Sequence, residues 1–140
     1  MRRHIQVVGA VIVRDGLVLC TQRGSGALAG KWEFPGGKIE DGEAARDALQ
    51  REIREELLCE VAVGDEVVTT THEDDGVTVT LTTFYCALLS EGPRLTEHAD
   101  ARWLPADRLD ELEWAPADVP AVMKVQARLT HSNERLKAPS

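Results

Sequence analysis

The sequence predicts an α+β domain in which a mixed β-sheet carries helices on its faces. Three observations point there. Strand-like, β-branched segments fall into two blocks, and each block contains an Asp-Gly or Asp-Asp-Gly turn. A helical stretch follows each block, so the order is β-rich, helix, β-rich, helix. The chain has 140 residues, 43% of them hydrophobic, enough for one core without disulfides or a structural metal. The expected domain is residues 1–131, with 132–140 read as a flexible C-terminal tail.

Residues 5–13 are apolar and β-branched and stop at Asp15-Gly16, after which 17–22 resumes the pattern. That is the signature of a hairpin with a D-G turn. Residues 24–31 carry three glycines and read as a loop, and Trp32-Glu33-Phe34 is a short extended stretch ending at a break, Pro35-Gly36-Gly37. A helix is expected over 44–58, because Leu49, Ile53 and Leu57 recur every four residues; Asp41 or Glu43 is expected to cap it. Strands are expected over 61–71 and 77–89, joined through Asp74-Asp75-Gly76. A short strand at 101–104, a short helix at 105–112 and a closing helix at 116–129 complete the order.

Charge narrows the partners. Acidic residues outnumber basic ones 24 to 16, for a net charge of −8. Polyanion binders use a basic face to displace counterions, so neither nucleic acid nor an anionic membrane is an expected partner. A small anion remains possible if a divalent cation accompanies it. Cys20, Cys59 and Cys86 are an odd number with no C-x-x-C pair and are read as small buried residues of a reducing cytosol. The apolar run after Met1-Arg2-Arg3 leads into Arg14-Asp15-Gly16 instead of a cleavage site, and no run reaches the ~18 apolar residues of a membrane span. The expected location is the cytoplasm, as a monomer or a homodimer.

The informative stretch is GGKIEDGEAARDALQREIREELLC, residues 36–59. On a helix, Glu52, Glu55 and Glu56 fall within a ~100° sector at the margin of the apolar stripe. A solvated helix laced with pairs such as Asp47–Arg51 and Arg51–Glu55 would show the same letters. Half-buried, however, two carboxylates ~6 Å apart repel by ~3 kcal/mol at an effective dielectric near 20. A cation relieves that repulsion, and Mg²⁺ suits a few carboxylates with water and phosphate oxygens. The flanking letters decide for the second reading. Gly37, Glu43, Arg51, Glu52, Ile53, Glu55 and Glu56 reproduce G-x5-E-x7-R-E-U-x-E-E, U being a bulky aliphatic, with every spacing kept. Six specified letters would match by chance on the order of 10⁻⁷ per starting position.

That pattern resembles the signature of the Nudix hydrolases. Trp32-Glu33-Phe34-Pro35-Gly36-Gly37 is similar to the approach to the box in MutT-like enzymes. Glu97-His98 before Trp103, and Trp114-Ala115-Pro116-Ala117-Asp118 after it, resemble the CTP pyrophosphohydrolase branch. The resemblance implies a Nudix fold, a mixed sheet between helices. It also implies Mg²⁺-dependent (or Mn²⁺-dependent) hydrolysis of a nucleoside triphosphate, of cytidine type including 5-methyl forms, to monophosphate and pyrophosphate. Sanitising 8-oxo-dGTP is the alternative, and a non-catalytic nucleotide-binding module of the same fold is another.

By that resemblance Glu52, Glu55 and Glu56, with the Gly36 carbonyl and Glu97, would hold the metal. Glu52 or Glu97 would be the general base, Arg51 would orient a neighbouring glutamate, and Glu43 would support the loop from behind. Arg23 and Lys38 are the cations for the triphosphate, and Phe34 is a candidate to lie beside the base. Asp118 either accepts from the exocyclic N4 amine of cytosine or caps the last helix. His4, His72 and His131 receive no role, and His98 travels with its motif. The pattern departs at its end, where Leu58 stands for the glycine and Cys59 for the last aliphatic. Because Leu58 precedes an apolar strand it is expected to pack, with no need for a positive φ, so that Leu58→Gly would destabilise.

Overall fold

Alternation along the first strand decides the architecture. The computed structural model describes residues 3–96 and 98–137, apart from the side chains of Asp74 and 131–137. Its strands are β1 (Arg3–Arg14), β2 (Leu17–Gln22), β3 (Trp32–Glu33), β4 (Gly36–Lys38), β5 (Val61–Asp74), β6 (Val77–Leu88) and β7 (Asp100–Pro105). Its α-helices are α1 (Ala45–Leu57) and α2 (Val119–Lys137), with 3-10 turns at Ala106–Glu111 and Pro116–Asp118. Successive side chains of a strand point to opposite faces. Val8, Ala10 and Ile12 accordingly pack with Leu49, Ile53 and Leu57 of α1. Val11 joins the other core, with Trp32, Phe34, Leu109, Trp114 and Val125. The result is a sheet covered by a helix on each face, as the sequence predicts.

The sheet is mixed, in the order β3-β2-β1-β6-β5, with β4 also on β1 and β7 on β2. β1 runs parallel to β6, while its pairings with β2 and β4 are antiparallel. Both hairpin turns form where the sequence places them: Asp15 and Gly16 have φ of 54° and 77°, and Asp75 and Gly76 have 32° and 78°. The three cysteines are free and buried. Among the described residues no helix is long and apolar enough to cross a membrane.

Four local expectations change. Gly36-Gly37 is a strand, not a break. A Cβ at Gly36 would lie 1.9 Å from the Val8 carbonyl oxygen, so only glycine lets β4 approach β1 this closely. The N-cap of α1 is Ala44, with no side-chain cap; neither Asp41 nor Glu43 serves. Leu58 adopts the left-handed conformation (φ 53°, ψ 39°) and is 59% exposed, so it neither packs nor escapes the positive φ. The expectation for Leu58→Gly is thereby reversed. The last helix extends past residue 129 to Lys137, into the segment read as tail. Glu97 lies outside the described residues.

Candidate active site

β4 brings α1 and the sheet together, and the site grows from that junction. A Cβ on Gly37 would stand 2.3 Å from Glu52 Oε2. The glycine therefore opens a cradle in the strand backbone for the glutamate carboxylate, a packing role invisible in a pattern of letters. Arg51 holds the cluster from the outer side. Its Nε and Nη2 donate to Glu43 Oε2 and Oε1 at 2.9 and 3.0 Å, a bidentate fork. Nη1 donates to Glu52 Oε1 at 2.9 Å and to Glu55 Oε2 at 3.3 Å, and Nη2 reaches the Lys38 carbonyl at 3.0 Å. The guanidinium, followed by the Glu40 amide, holds the Glu43 carboxyl below the usual carboxylate range. The carboxylates, Glu43 first, raise Arg51 in turn, so it stays charged.

The glutamates are not equivalent. The side chains of Glu52 and Glu56 are 15% and 16% exposed, while that of Glu55 is 60% exposed at the outer margin. Glu56 Oε2 lies 4.0 Å from His98 Nε2. Among the described residues no three acid, histidine or cysteine side chains converge into a complete metal cage. Two sheltered carboxylates beside a cradling glycine are nevertheless hard oxygen donors of the kind Mg²⁺ takes, with water and phosphate oxygens filling its remaining positions.

A cleft of about 640 Å³ opens from this cluster across the sheet. Its lining includes Glu56, His98, Gly36, Gly37 and Lys38 from around the junction of α1 and β4, and a second group, Arg23, Glu33, Phe34 and Asp118, joined by the Arg23–Glu33 and Phe34–Asp118 bonds. Ile5 and Val7 of β1 and their parallel partners Val79 and Leu81 of β6 add apolar lining. Of the residues assigned from sequence, Arg23, Phe34, Gly36, Lys38, Glu56 and Asp118 thus share one cavity. Arg51, Glu43, Glu52 and Glu55 form the polar cluster that meets it at Gly37.

The second group is built by distant parts of the chain. The Trp32 N–H donates to the Glu113 carbonyl and the Ala115 N–H to the Trp32 carbonyl, which fastens the 116–118 turn to β3. The Phe34 and Trp114 rings pack at 4.8 Å between centroids. Asp118 Oδ1 then accepts the Phe34 N–H at 3.1 Å. Asp118 stands just before α2, yet its carboxylate faces the cleft and does not cap that helix. Burial pushes its carboxyl up to about 7; the Phe34 amide opposes the shift and the Glu33 charge adds to it. Glu33, which carried no role in the sequence reading, lines the same cleft and accepts from Arg23 Nη1 at 3.1 Å. Burial raises its carboxyl while Arg23 opposes the rise. A carboxylate set between two buried aromatics, Trp32 and Phe34, was the available signal. His72, also without a role, lies on the cleft wall.

Known proteins share this fold. The NUDIX domain profile matches residues 3–125. The chain is 44% identical over 125 residues to a Mycobacterium tuberculosis protein named "Putative 8-oxo-dGTP diphosphatase 2", covering 84% of each. It is 38% identical over 119 residues to the CTP pyrophosphohydrolase of Escherichia coli K12, covering 84% of this chain and 88% of that one. The solution structure of a MutT protein from methicillin-resistant Staphylococcus aureus superposes with a TM-score of 0.78 at 52% identity, over 91% of this chain and 99% of that one. Box, cleft and fold agree with these matches: the chain belongs to the NUDIX family and is a Nudix hydrolase.

Proposed function

We propose that the protein hydrolyses nucleoside triphosphates to monophosphate and pyrophosphate, with cytidine-type triphosphates as its preferred substrates. The observation that carries the proposal is one cleft that holds the sheltered Glu56 and Lys38 together with a buried carboxylate beside an aromatic ring. The charged groups suit a triphosphate and the buried pair a base. Glu52 and Glu56, with Glu55 on the outer side and the Gly36 carbonyl, would hold Mg²⁺, for which Mn²⁺ could substitute. When bound, the ion would polarise the phosphoryl oxygens and lower the pKa of water. Glu52 or Glu97 would take the proton from the attacking water. Arg51 orients Glu52 while its bidentate bond to Glu43 prevents it from swinging away. Lys38 and Arg23 would neutralise the phosphate oxygens, Arg23 after loosening from Glu33.

At the base the ionised Asp118 would accept the N4 amine of cytosine while Phe34 packs on the ring. The CTP pyrophosphohydrolase relative supports this choice. The second reading, 8-oxo-dGTP, draws on the raised carboxyl of Asp118, which as a neutral acid would donate a hydrogen bond instead. The test is a panel of nucleoside triphosphates with Mg²⁺, reading pyrophosphate against orthophosphate. Pyrophosphate should be released and EDTA should abolish it. Orthophosphate as the sole product would contradict the bond assigned, and a preference for 8-oxo-dGTP would replace the cytidine assignment.

A further inference from the structure

The last carbonyls of a helix have no intrahelical donors and must find partners elsewhere. At the end of α1 Leu58 turns into the left-handed region and its N–H returns to the Arg54 carbonyl at 3.1 Å. The carbonyls of Glu56 and Leu57 are reached by a different part of the chain. The Arg94 N–H donates to Leu57 O at 2.7 Å, and Thr96 Oγ1 donates to Glu56 O at 2.8 Å. These residues belong to the irregular connection between β6 and β7, which is also anchored by Leu89 N–H to Glu60 O and Ala99 N–H to Gln22 O. Two residues after Thr96 the same strap sets His98, with an 8% exposed side chain, 4.0 Å from the Glu56 carboxylate on the cleft wall.

We propose that Thr96 is a positioning residue, whose hydroxyl holds the backbone of Glu56 and so sets the Glu56 carboxylate in its place beside His98 in the cleft. The bond falls on the main chain of the residue whose side chain lines the cleft, so it acts directly on the position of that carboxylate. Without the hydroxyl, the Arg94 amide still holds Leu57 O, but the Glu56 carbonyl loses this donor and the last turn of α1 is held less tightly at Glu56. No box letter includes Thr96, and its part follows from the fold alone. The inference rests on the reading of Glu56 as part of the hydrolytic site.

Thr96→Val keeps the shape and removes the donor, whereas Thr96→Ser keeps the donor. Steady-state kcat and KM are measured for both with the best triphosphate at saturating Mg²⁺, and amide hydrogen exchange at Arg94 is followed without substrate. The loss of one net hydrogen bond should lower kcat of Thr96→Val about 5- to 10-fold, with KM within about twofold, and speed exchange at Arg94. Thr96→Ser should restore both. Unchanged kcat in Thr96→Val, a change confined to KM, or equal impairment of Thr96→Ser would overturn the proposal. If the wild-type protein hydrolyses no triphosphate, the proposed function fails, and unchanged Arg94 exchange in Thr96→Val would then overturn the positioning role independently.

Discussion

The two groups of residues along the cleft are made in opposite ways. The glutamate group is local in sequence: Gly37, Glu43, Arg51, Glu52 and Glu56 come from one strand, the helix after it and the loop between, and the Arg51 guanidinium ties Glu43 to Glu52. The second group joins residues far apart in the chain, since the Phe34 amide meets the Asp118 carboxylate across 84 positions. Its acid is shifted by burial, whereas the shift of Glu43 comes from a charged partner. Under the proposed function, the hydrolytic groups would thus stand on a local scaffold, while base selectivity would hang on tertiary packing.

Substitutions in each group should separate these roles. The largest effect is expected in the glutamate group, where Glu52→Gln or Glu56→Gln should lower kcat by about 10²–10⁴-fold. The circular dichroism spectrum should stay native, and retained turnover would break the comparison at its root. Gly37→Ala comes next. Its Cβ would collide with the flexible end of Glu52 and not with backbone, so the carboxylate should move while the fold persists. A displacement of that kind costs about 10²-fold in kcat. Gly36→Ala is the contrasting control, because its Cβ meets the Val8 backbone and should unfold β4 or lower Tm severely.

In the second group Asp118→Asn should reduce kcat/KM for dCTP by roughly 10- to 150-fold, the loss of a hydrogen bond to an ionised group. Turnover of other triphosphates should change little, and an unchanged ratio of dCTP to 8-oxo-dGTP activity would remove Asp118 from base selection. The same residue gives a pH test. Its carboxyl rises from 3.8 to about 7 on folding, so between those values the folded chain keeps a proton that the unfolded chain has released. Stability should therefore fall as pH climbs through that window and level off above it. Asp118→Asn should flatten that decline in Tm between pH 5 and pH 8; parallel curves would contradict the burial argument.

The smallest effect concerns the end of α1, outside both groups. Leu58 holds a left-handed conformation that costs a non-glycine residue ~1–2 kcal/mol, and its exposed side chain contributes little packing in return. Glycine relieves that strain but loses more chain entropy on folding, so Leu58→Gly should stabilise by about 0.5–1 kcal/mol, read as a higher Tm. A lower Tm would restore the packing role that the sequence suggested.

The same division separates what could be read from the sequence and what could not. The alternation of β1, the i,i+4 stripe of α1 and the two Asp-Gly turns follow from periodicities of about 2 and 3.6 residues and from turn chemistry. The spacing of Gly37 through Glu56 likewise predicts that these carboxylates gather along one side of α1, because a helix converts spacing into direction. Contacts between distant segments have no such rule. That Gly36 lies against Val8, that Asp118 turns to Phe34 instead of capping α2, and that Glu33 joins Arg23 in the cleft emerge only when β3, β4 and the 116–118 turn pack together. Leu58 teaches the same lesson within one residue. Its apolar side chain argued for burial, but the backbone had to leave the helix there, and the main-chain turn prevailed over the preference of the side chain. Local order is decided by near neighbours in the chain, whereas burial, and the shift it imposes on a carboxyl such as that of Asp118, is decided by segments that meet only in the folded molecule.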